Sequence, residues 1–311
     1  MIKIPLAIET VCGCLPSTIV DNLSICSEIA GADKAEALVK STGFRYRHVV
    51  APGMTIFDLA LPAARKALDG VAPDEIGGVV AVTFSAPDRF PALSIRLHHA
   101  LGLPATAAAF DISLACSGYP YGLFVAAQLA SATGKRVLLI DGDVQTAHLD
   151  TSDINTLAVM SDAATATLIA PGGDMASFAF LTDGTGAETL RCSAWGKIRM
   201  DGFGVFRFVA GPVSAFLKEF LASVAVRPDV FVPHQANMYM VRQLAKSLGL
   251  EGCLRTSGER FANPGSCSVP LTLAASGGEG CALLAGFGAG LSAAVALVSL
   301  PPTMRRSIVE V

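Results

Sequence analysis

Three residues whose types can together move an acyl group stand where strands end: Cys116 in DISLACSGYPYGL, His234 in VFVPHQAN and Asn263 in RFANPGS. A thiolate attacks thioesters, and an imidazole with an amide can hold the oxygen of an enolate left by decarboxylation. Small residues flank Cys116, with Ala115 on one side and Ser117-Gly118 on the other, so another molecule can approach the sulfur closely. A thiol at the mouth of a helix feels the positive end of the macrodipole, which predicts a lowered pKa and a thiolate. Each residue alone also has a plainer reading, as a buried structural cysteine or a histidine satisfied within the fold.

The positioning elements follow from the hydrophobic pattern. The apolar run 107–110 predicts a buried strand, and Leu123, Phe124, Ala127 and Gln128 sit at helix spacing after Cys116, with Pro120 in the first turn. Residues 230–232 predict a short strand ending at Pro233-His234, followed by a helix over 238–248. Asn263 falls in a turn before a helix that begins near Val269. Upstream, the pattern predicts a strand over 2–9, helices over 19–29 and 34–40, and a turn with a basic segment over 41–47. A helix then runs from Thr55 to about Leu68, followed by a strand over 76–83 and a helix over 91–101. Further strands are expected over 136–141, 163–170 and 178–182, and an amphipathic helix over 214–224. Strands alternating with helices imply mostly parallel, layered sheets in an α/β protein. The two halves look like a faint pseudo-duplication with no low-complexity linker between them.

Composition narrows the function classes. With 52% hydrophobic and 16% charged residues, the 311-residue chain can build a large core and cover a subunit interface as well. A net charge of −3 without a Lys/Arg stripe argues against a nucleic-acid binder. The eight cysteines lack metal-ligand spacing, Cys12-Gly13-Cys14 being the only close pair, and a disulfide framework is not expected. These features predict reduced thiols in a cytoplasmic protein. The N-terminus resembles a signal peptide only superficially, because Glu9 interrupts its apolar run. Residues 281–302 are uncharged and long enough to span a bilayer, but their Gly-Ala-Gly-Leu-Ser interior divides them into two core strands, 281–285 and 293–300. No G-x-G-x-x-G opens a helix after a strand and no P-loop is present, so neither nicotinamide nor ATP is implied. A cysteine peptidase would need a cleft for extended peptide, for which the sequence offers nothing.

The motifs in their order resemble the ketoacyl synthase III family of the thiolase superfamily. DISLACSGYPYGL is similar to its nucleophile segment, VPHQAN to its histidine motif, and RFANPGSCSVP to its asparagine segment. STGFRYRHVVAPG resembles the early Thr-Gly-Ile-x-x-Arg segment, and GFGAGLSAAVAL the closing glycine-rich turn. The resemblance covers about residues 40–300. It implies a thiolase-like αβαβα fold with two pseudo-duplicated halves, 1–170 carrying the nucleophile and 171–311 carrying His234 and Asn263. It also implies a homodimer and a tunnel for a phosphopantetheine arm.

Carried over by residue, Cys116 would take an acyl group from a primer thioester, and His234 with Asn263 would stabilise the enolate of a malonyl extender. The backbone N–H groups of Cys116 and Ala289 would form the oxyanion hole. Phe90, in DRFPALS, matches an aromatic at the acyl pocket and dimer interface, its plainer reading being a core Phe. Asn237, Phe203 and Phe206 would contact substrate. Neither a permanently bound cofactor nor a metal is implied: the substrates would be phosphopantetheine thioesters, carried by coenzyme A or acyl carrier protein. No nucleic-acid or membrane partner is expected. An acidic carrier protein would need local positive charge, for which Arg242 and Lys246, four apart on one helix face, are candidates along with Lys197, Arg199 and Arg207.

The chain departs from the family pattern around the carrier site. Ala37 stands near a usual Trp and Ile154 at a usual Arg, which together clamp the coenzyme A adenine. Phe203 replaces a pantetheine-binding Asn, Tyr239 replaces an Arg, and the usual FGDGAGA segment reads MSDAATA. An intact Cys/His/Asn set inside an altered carrier shell implies a condensing enzyme with a non-standard primer. Two alternatives are an acyltransferase that moves the acyl group to an alcohol or amine, and a partner subunit of a heterodimeric ketosynthase.

Overall fold

The computed structural model describes residues 1–193 and 196–311. From the N-terminus run β1 (Ile2–Leu15), β2 (Ile19–Asp21), α1 (Asn22–Ala30), α2 (Ala32–Thr42), β3 (Tyr46–His48), α3 (Ile56–Ala67) and β4 (Ile76–Val82). Next come α4 (Leu93–Ala100), β5 (Ala108–Ile112), α5 (Gly118–Thr133), β6 (Arg136–Asp143), α6 (Ile154–Leu157) and β7 (Ala163–Thr182). After β8 (Leu190–Arg191) and β9 (Arg199–Met200) follow α7 (Gly202–Phe208), α8 (Ser214–Val224), β10 (Val230–Pro233), α9 (Met238–Leu248) and α10 (Gly258–Phe261). The chain closes with α11 (Ser268–Ser276), β11 (Gly280–Gly288), β12 (Ser292–Leu300) and β13 (Arg305–Glu310).

Nine strands join in one hydrogen-bonded network. The antiparallel partners β1 and β7 run through its centre, and their register breaks between Leu6 and Ala7 and again between Ile8 and Thr10. One leaf reads β5-β4-β6, then residues 163–170 of β7, residues 7–14 of β1, and β13. The other reads β10-β11-β12, then residues 177–182 of β7 and 2–6 of β1. The expected strands 163–170 and 178–182 are thus one continuous strand. Pro171-Gly172-Gly173 disguises that continuity in the sequence. The sheets are mixed rather than mostly parallel, because β7 and β12 run against their neighbours.

Period-two side-chain alternation builds five layers from these leaves. Leu123 and Ala127 of α5 and Val269 and Leu273 of α11 pack between Val80, Val82 and Leu139 of one leaf and Val232, Leu284 and Val298 of the other. The opposite face of the first leaf, Val79, Ala81, Leu138 and Ile140, meets Leu59 and Ala63 of α3 and Leu93 and Leu97 of α4. The opposite face of the second, Phe231, Leu283 and Val295, meets Phe208, Leu217, Phe220 and Leu244. Hence the order αβαβα.

Local chemistry sets the element ends. Thr55 and Asp58 form a capping box on α3, the Thr55 N–H donating to Asp58 at 2.7 Å. The helix expected over 19–29 starts only at Asn22. Residues 19–21 pair instead with β3, and the Asp21 carboxylate accepts the Leu23 N–H at 2.8 Å. The uncharged stretch 281–302 supplies β11 and β12, paired along their length in the core. Strand β13, parallel to β1, was not expected: its sequence RRSIVE has two adjacent apolar residues and no period-two alternation to stand out.

Candidate active site

Cys116 lies on the turn between β5 and α5, two residues before the helix begins, with only 6% of its surface exposed. The turn is closed by the Gly118 N–H donating to the Ala115 carbonyl at 2.7 Å. It lies hard against the end of β11. A Cβ on Gly288, whose φ is +151°, would stand 2.7 Å from the Cys116 Cβ, so only glycine fits there. The adjoining hydroxyls of Ser117 and Ser292 are 2.7 Å apart.

The expected lowering of the Cys116 pKa is not what the fold produces. Burial pushes the thiol up to about 11, opposed by the Ala289 backbone N–H facing the sulfur and reinforced by the negative charge of Asp143. Desolvation outweighs the helix end because Cys116 precedes the first turn rather than capping it. The resting sulfur is therefore a thiol.

His234 ends β10, is 1% exposed, and donates its backbone N–H to the Ala285 carbonyl at 2.7 Å. Its Nδ1 lies 2.7 Å from the Ser268 hydroxyl, whose oxygen also accepts the Gln235 N–H at 3.3 Å. Where the Ser268 hydroxyl donates to Nδ1, Nε2 carries the ring hydrogen. Burial pushes the imidazole down to about 3, with a weaker opposite pull from the Gly265 backbone, so it stays neutral at ordinary pH. The ring stands edge-on to Phe287 at 5.6 Å, one residue from Gly288.

Asn263 is held through its backbone. It donates to Val159 at 3.0 Å, and its carbonyl accepts from the Ser161 N–H at 3.1 Å and from Gln145 Nε2 at 2.8 Å. Its side-chain oxygen accepts the Gly265 N–H at 3.0 Å, which leaves the NH2 as the group available to a ligand. The preceding Ala262 has φ +53°, a left-handed conformation that a Cβ disfavours. Strain of this kind collects where a side chain must be aimed.

A cavity of about 930 Å³ reaches Cys116 and Ala289 from outside, and Thr83, Phe84, Gln145 and His148 form part of its wall. His234 and Asn263 lie behind that wall. Gly265 contacts both of them, and Gln145 of the wall bonds directly to the Asn263 carbonyl. Three residues that sequence reasoning missed support this centre: Ser268, Gln145 and Asp143. Asp143 Oδ1 accepts four bonds, from Thr83 Oγ1 and the Phe84 N–H at 2.8 Å, Ser85 Oγ at 3.0 Å and the Ser85 N–H at 3.1 Å. Its Oδ2 has no partner among the described residues, and burial pushes the carboxyl up to about 7. The available signal was an Asp-Gly-Asp run closing an apolar strand, where a solvated turn would be the default reading.

The remaining expected site residues lie farther out. Phe90 is 86% exposed rather than in the core, and is not among the residues lining the cavity. Phe203 is 69% exposed beneath the Arg207 guanidinium, and Phe206 stacks on Tyr239 beside a separate cavity of about 220 Å³. Asn237 caps α9, its side-chain oxygen accepting the Met240 N–H at 2.8 Å. Arg242 is ion-paired with Glu259 at 2.9 Å, and Lys246 is exposed. Ile154, at the position expected to lack the adenine clamp, is buried against Cys26, Ala35 and Ala158.

Known proteins share the sequence pattern and the fold. A family model described as 3-oxoacyl-[acyl-carrier-protein] synthase III matches residues 110–186, and its C-terminal counterpart matches 227–300. Cys116 lies within the first span, and His234, Asn263 and Ala289 within the second. β-Ketoacyl-[acyl-carrier-protein] synthase III 2 of Streptomyces coelicolor is 34% identical over 298 residues, covering 90% of this chain and 89% of that protein. The synthase III of Sphingopyxis alaskensis is 31% identical, covering 83% and 86%. The crystal structure of a 3-oxoacyl-(acyl-carrier protein) synthase from Burkholderia xenovorans superposes with a TM-score of 0.94 at 29% identity, covering 100% and 98%. The priming β-ketosynthase of the R1128 polyketide pathway gives 0.87 at 31%, covering 96% and 97%. With a thiolase-type fold, a buried cysteine at the base of a cavity and relatives similar over nine-tenths of its length, the chain belongs to the 3-oxoacyl-[acyl-carrier-protein] synthase III family of condensing acyltransferases.

Proposed function

We propose that the protein condenses an acyl primer with a malonyl thioester to give a 3-ketoacyl thioester, with Cys116, His234 and Asn263 as the catalytic set. The Cys116 sulfur attacks the primer thioester carbonyl. The new C–S bond forms, the bond to the carrier sulfur breaks, and the thiol proton leaves with the carrier thiol. The N–H groups of Cys116 and Ala289 hold the oxyanion of each tetrahedral intermediate. A malonyl thioester then loses carbon dioxide, and the electron pair of that C–C bond becomes an enolate. His234 Nε2–H and the Asn263 amide donate to its oxygen. The enolate carbon attacks the acyl-Cys116 carbonyl, the C–S bond breaks as the ketoacyl product forms, and the departing Cys116 thiolate takes a proton from water to restore the resting thiol.

The single observation carrying this reading is a buried His234 that burial holds neutral, with its Nδ1 at 2.7 Å from the Ser268 hydroxyl. Such a ring is a good hydrogen-bond donor to an enolate. It is a poor general base for an alcohol or amine acceptor, whose activation wants a pKa near the working pH. The buried Ile154, together with Ala37 on the exposed side of α2, supports a primer delivered by a carrier protein rather than held by its adenine. Lys246, and Arg242 beyond its pairing with Glu259, would meet that carrier. The two halves 1–170 and 171–311 would act as one body across β7. Exposed Phe90, Ile95 and Phe110 along the β5 edge support a second copy of the chain seated there.

Intact-protein mass spectrometry tests the reaction. Acyl thioesters on coenzyme A and on carrier protein should add one acyl mass at Cys116, and malonyl-carrier protein should then remove it with release of a 3-ketoacyl product. An acyl mass that persists with malonyl-carrier protein but is discharged by an alcohol or amine would overturn condensation.

A further inference from the structure

We propose that the acyl cavity is built for a primer whose chain carries a neutral hydrogen-bond donor, a hydroxyl or amide N–H, rather than for a pure hydrocarbon chain. This rests on the condensing reading above and names the substrate class of the same site. Gln145 lines the cavity, and its Nε2 donates both hydrogens, to the Ser161 and Asn263 carbonyls at 2.8 Å each. The opposite amide orientation would set three carbonyl oxygens against one another, so the chemistry fixes which atom is which. The Gln145 Oε1 is thereby left as an acceptor that no protein donor reaches among the described residues.

His148 repeats the pattern on the same wall. Its Nδ1 faces the Gly196 carbonyl at 3.3 Å, an atom that only accepts, so Nδ1 carries a hydrogen and Nε2 is the ring nitrogen that can accept. Among the described residues Nε2 has no protein partner. The Thr83 hydroxyl, which could have supplied a donor, gives its hydrogen to Asp143. Met160, Leu190 and Ile198 complete this part of the wall and fit the carbon skeleton.

Two unmatched acceptors discriminate by what they leave unpaired. A methyl group facing them strands both, and a carboxylate adds a third acceptor; the charged side chains of the same cavity are Asp88, Arg89, Asp111 and Arg191. A hydroxyl or amide N–H satisfies one of them and costs no charge burial. Sites that hydrogen-bond a substrate group reject the analogue lacking it far more strongly than an apolar pocket discriminates by size.

The test compares acylation rates of Cys116 in the full-length protein by butyryl, 3-hydroxybutyryl, 4-hydroxybutyryl, succinyl and 4-aminobutyryl thioesters on one carrier. At least one hydroxyacyl primer should exceed butyryl by about tenfold or more. In both Gln145→Leu and His148→Phe the hydroxyacyl-to-butyryl ratio should fall toward parity. A ratio cancels any general loss of activity, which matters because both residues belong to one 3-10 turn, Gln145–His148. Butyryl matching or exceeding both hydroxyacyl primers, or a ratio unchanged in both variants, overturns the inference and leaves condensation standing. Succinyl or 4-aminobutyryl as the fastest primer overturns it in favour of a charge-reading pocket. Absence of acylation by every primer overturns the condensing reading and this inference with it.

Discussion

The centre of the site and its rim are built by different rules. Around Cys116, His234 and Asn263 every backbone direction is determined more than once: Asn263 by three backbone hydrogen bonds, His234 by Ala285 and Ser268, Cys116 by the Ala115–Gly118 turn against Gly288. At the rim, Phe90, Phe203, Tyr239 and Lys246 are largely exposed, and contacts such as Arg207 over Phe203 or Arg242 with Glu259 are single and solvated. An over-determined centre tolerates few substitutions, whereas an exposed rim can change residue by residue at little cost. The departures from the family pattern at Phe203 and Tyr239 fall on the rim side of that division.

The division breaks if the centre proves tolerant. His234→Ala and Asn263→Ala should each lower condensation by about 10²–10³-fold, the usual effect of losing a preorganised oxyanion donor. Primer acylation of Cys116 should survive in both. A parallel loss of acylation would show that these residues serve the first half-reaction as well.

A smaller effect is expected from packing alone. Gly288→Ala places a methyl group 2.7 Å from the Cys116 Cβ at a φ of +151°. Destabilisation of about 1–3 kcal/mol in chemical denaturation should accompany slower acylation. Unchanged stability would mean that the turn bearing the nucleophile is looser than its contacts indicate.

Asp143 sharpens the electrostatic side. With its carboxyl near 7, Asp143 is ionised wherever Cys116, near 11, releases its proton, and that charge opposes thiolate formation. Asp143→Asn removes the charge, so the pH midpoint for alkylation of Cys116 by iodoacetamide should move down. A midpoint that stays or rises would assign Asp143 only to holding the Thr83–Ser85 turn.

The smallest effect belongs to the rim. Arg242→Ala should change folding stability by less than about 1 kcal/mol, as is usual for an exposed pair. It should raise KM for a carrier-protein thioester while leaving KM for a small thioester unchanged. A carrier-thioester KM unchanged from the unsubstituted protein would remove α9 from carrier docking.

Much of the fold was legible because it rests on local signals. The strands over 76–83, 136–141 and 230–232 are apolar runs of strand length, and the helix over 238–248 carries an unmistakable 3.6-residue stripe with Asn237 as its cap. The continuity of β7 was hidden because Pro171-Gly172-Gly173 is a turn signal everywhere except where a long strand changes partners. Strand β13 was hidden because only its pairing with β1 distinguishes it from a charged tail.

The sequence by itself sufficed to name the family: Cys116, His234 and Asn263 stand in motifs whose residue types and order point to it. Tertiary structure alone decided their ionisation and their surroundings. Whether Cys116 is thiol or thiolate depends on how completely the surrounding layers exclude water, which turned an expected lowering into a rise to about 11. Likewise, Gln145 became an acceptor on the cavity wall because the Ser161 and Asn263 carbonyls, 16 and 118 residues away, take both its hydrogens. Desolvation and hydrogen-bond matching are properties of neighbours in space, and residue order alone does not encode them in any form a local reading can recover.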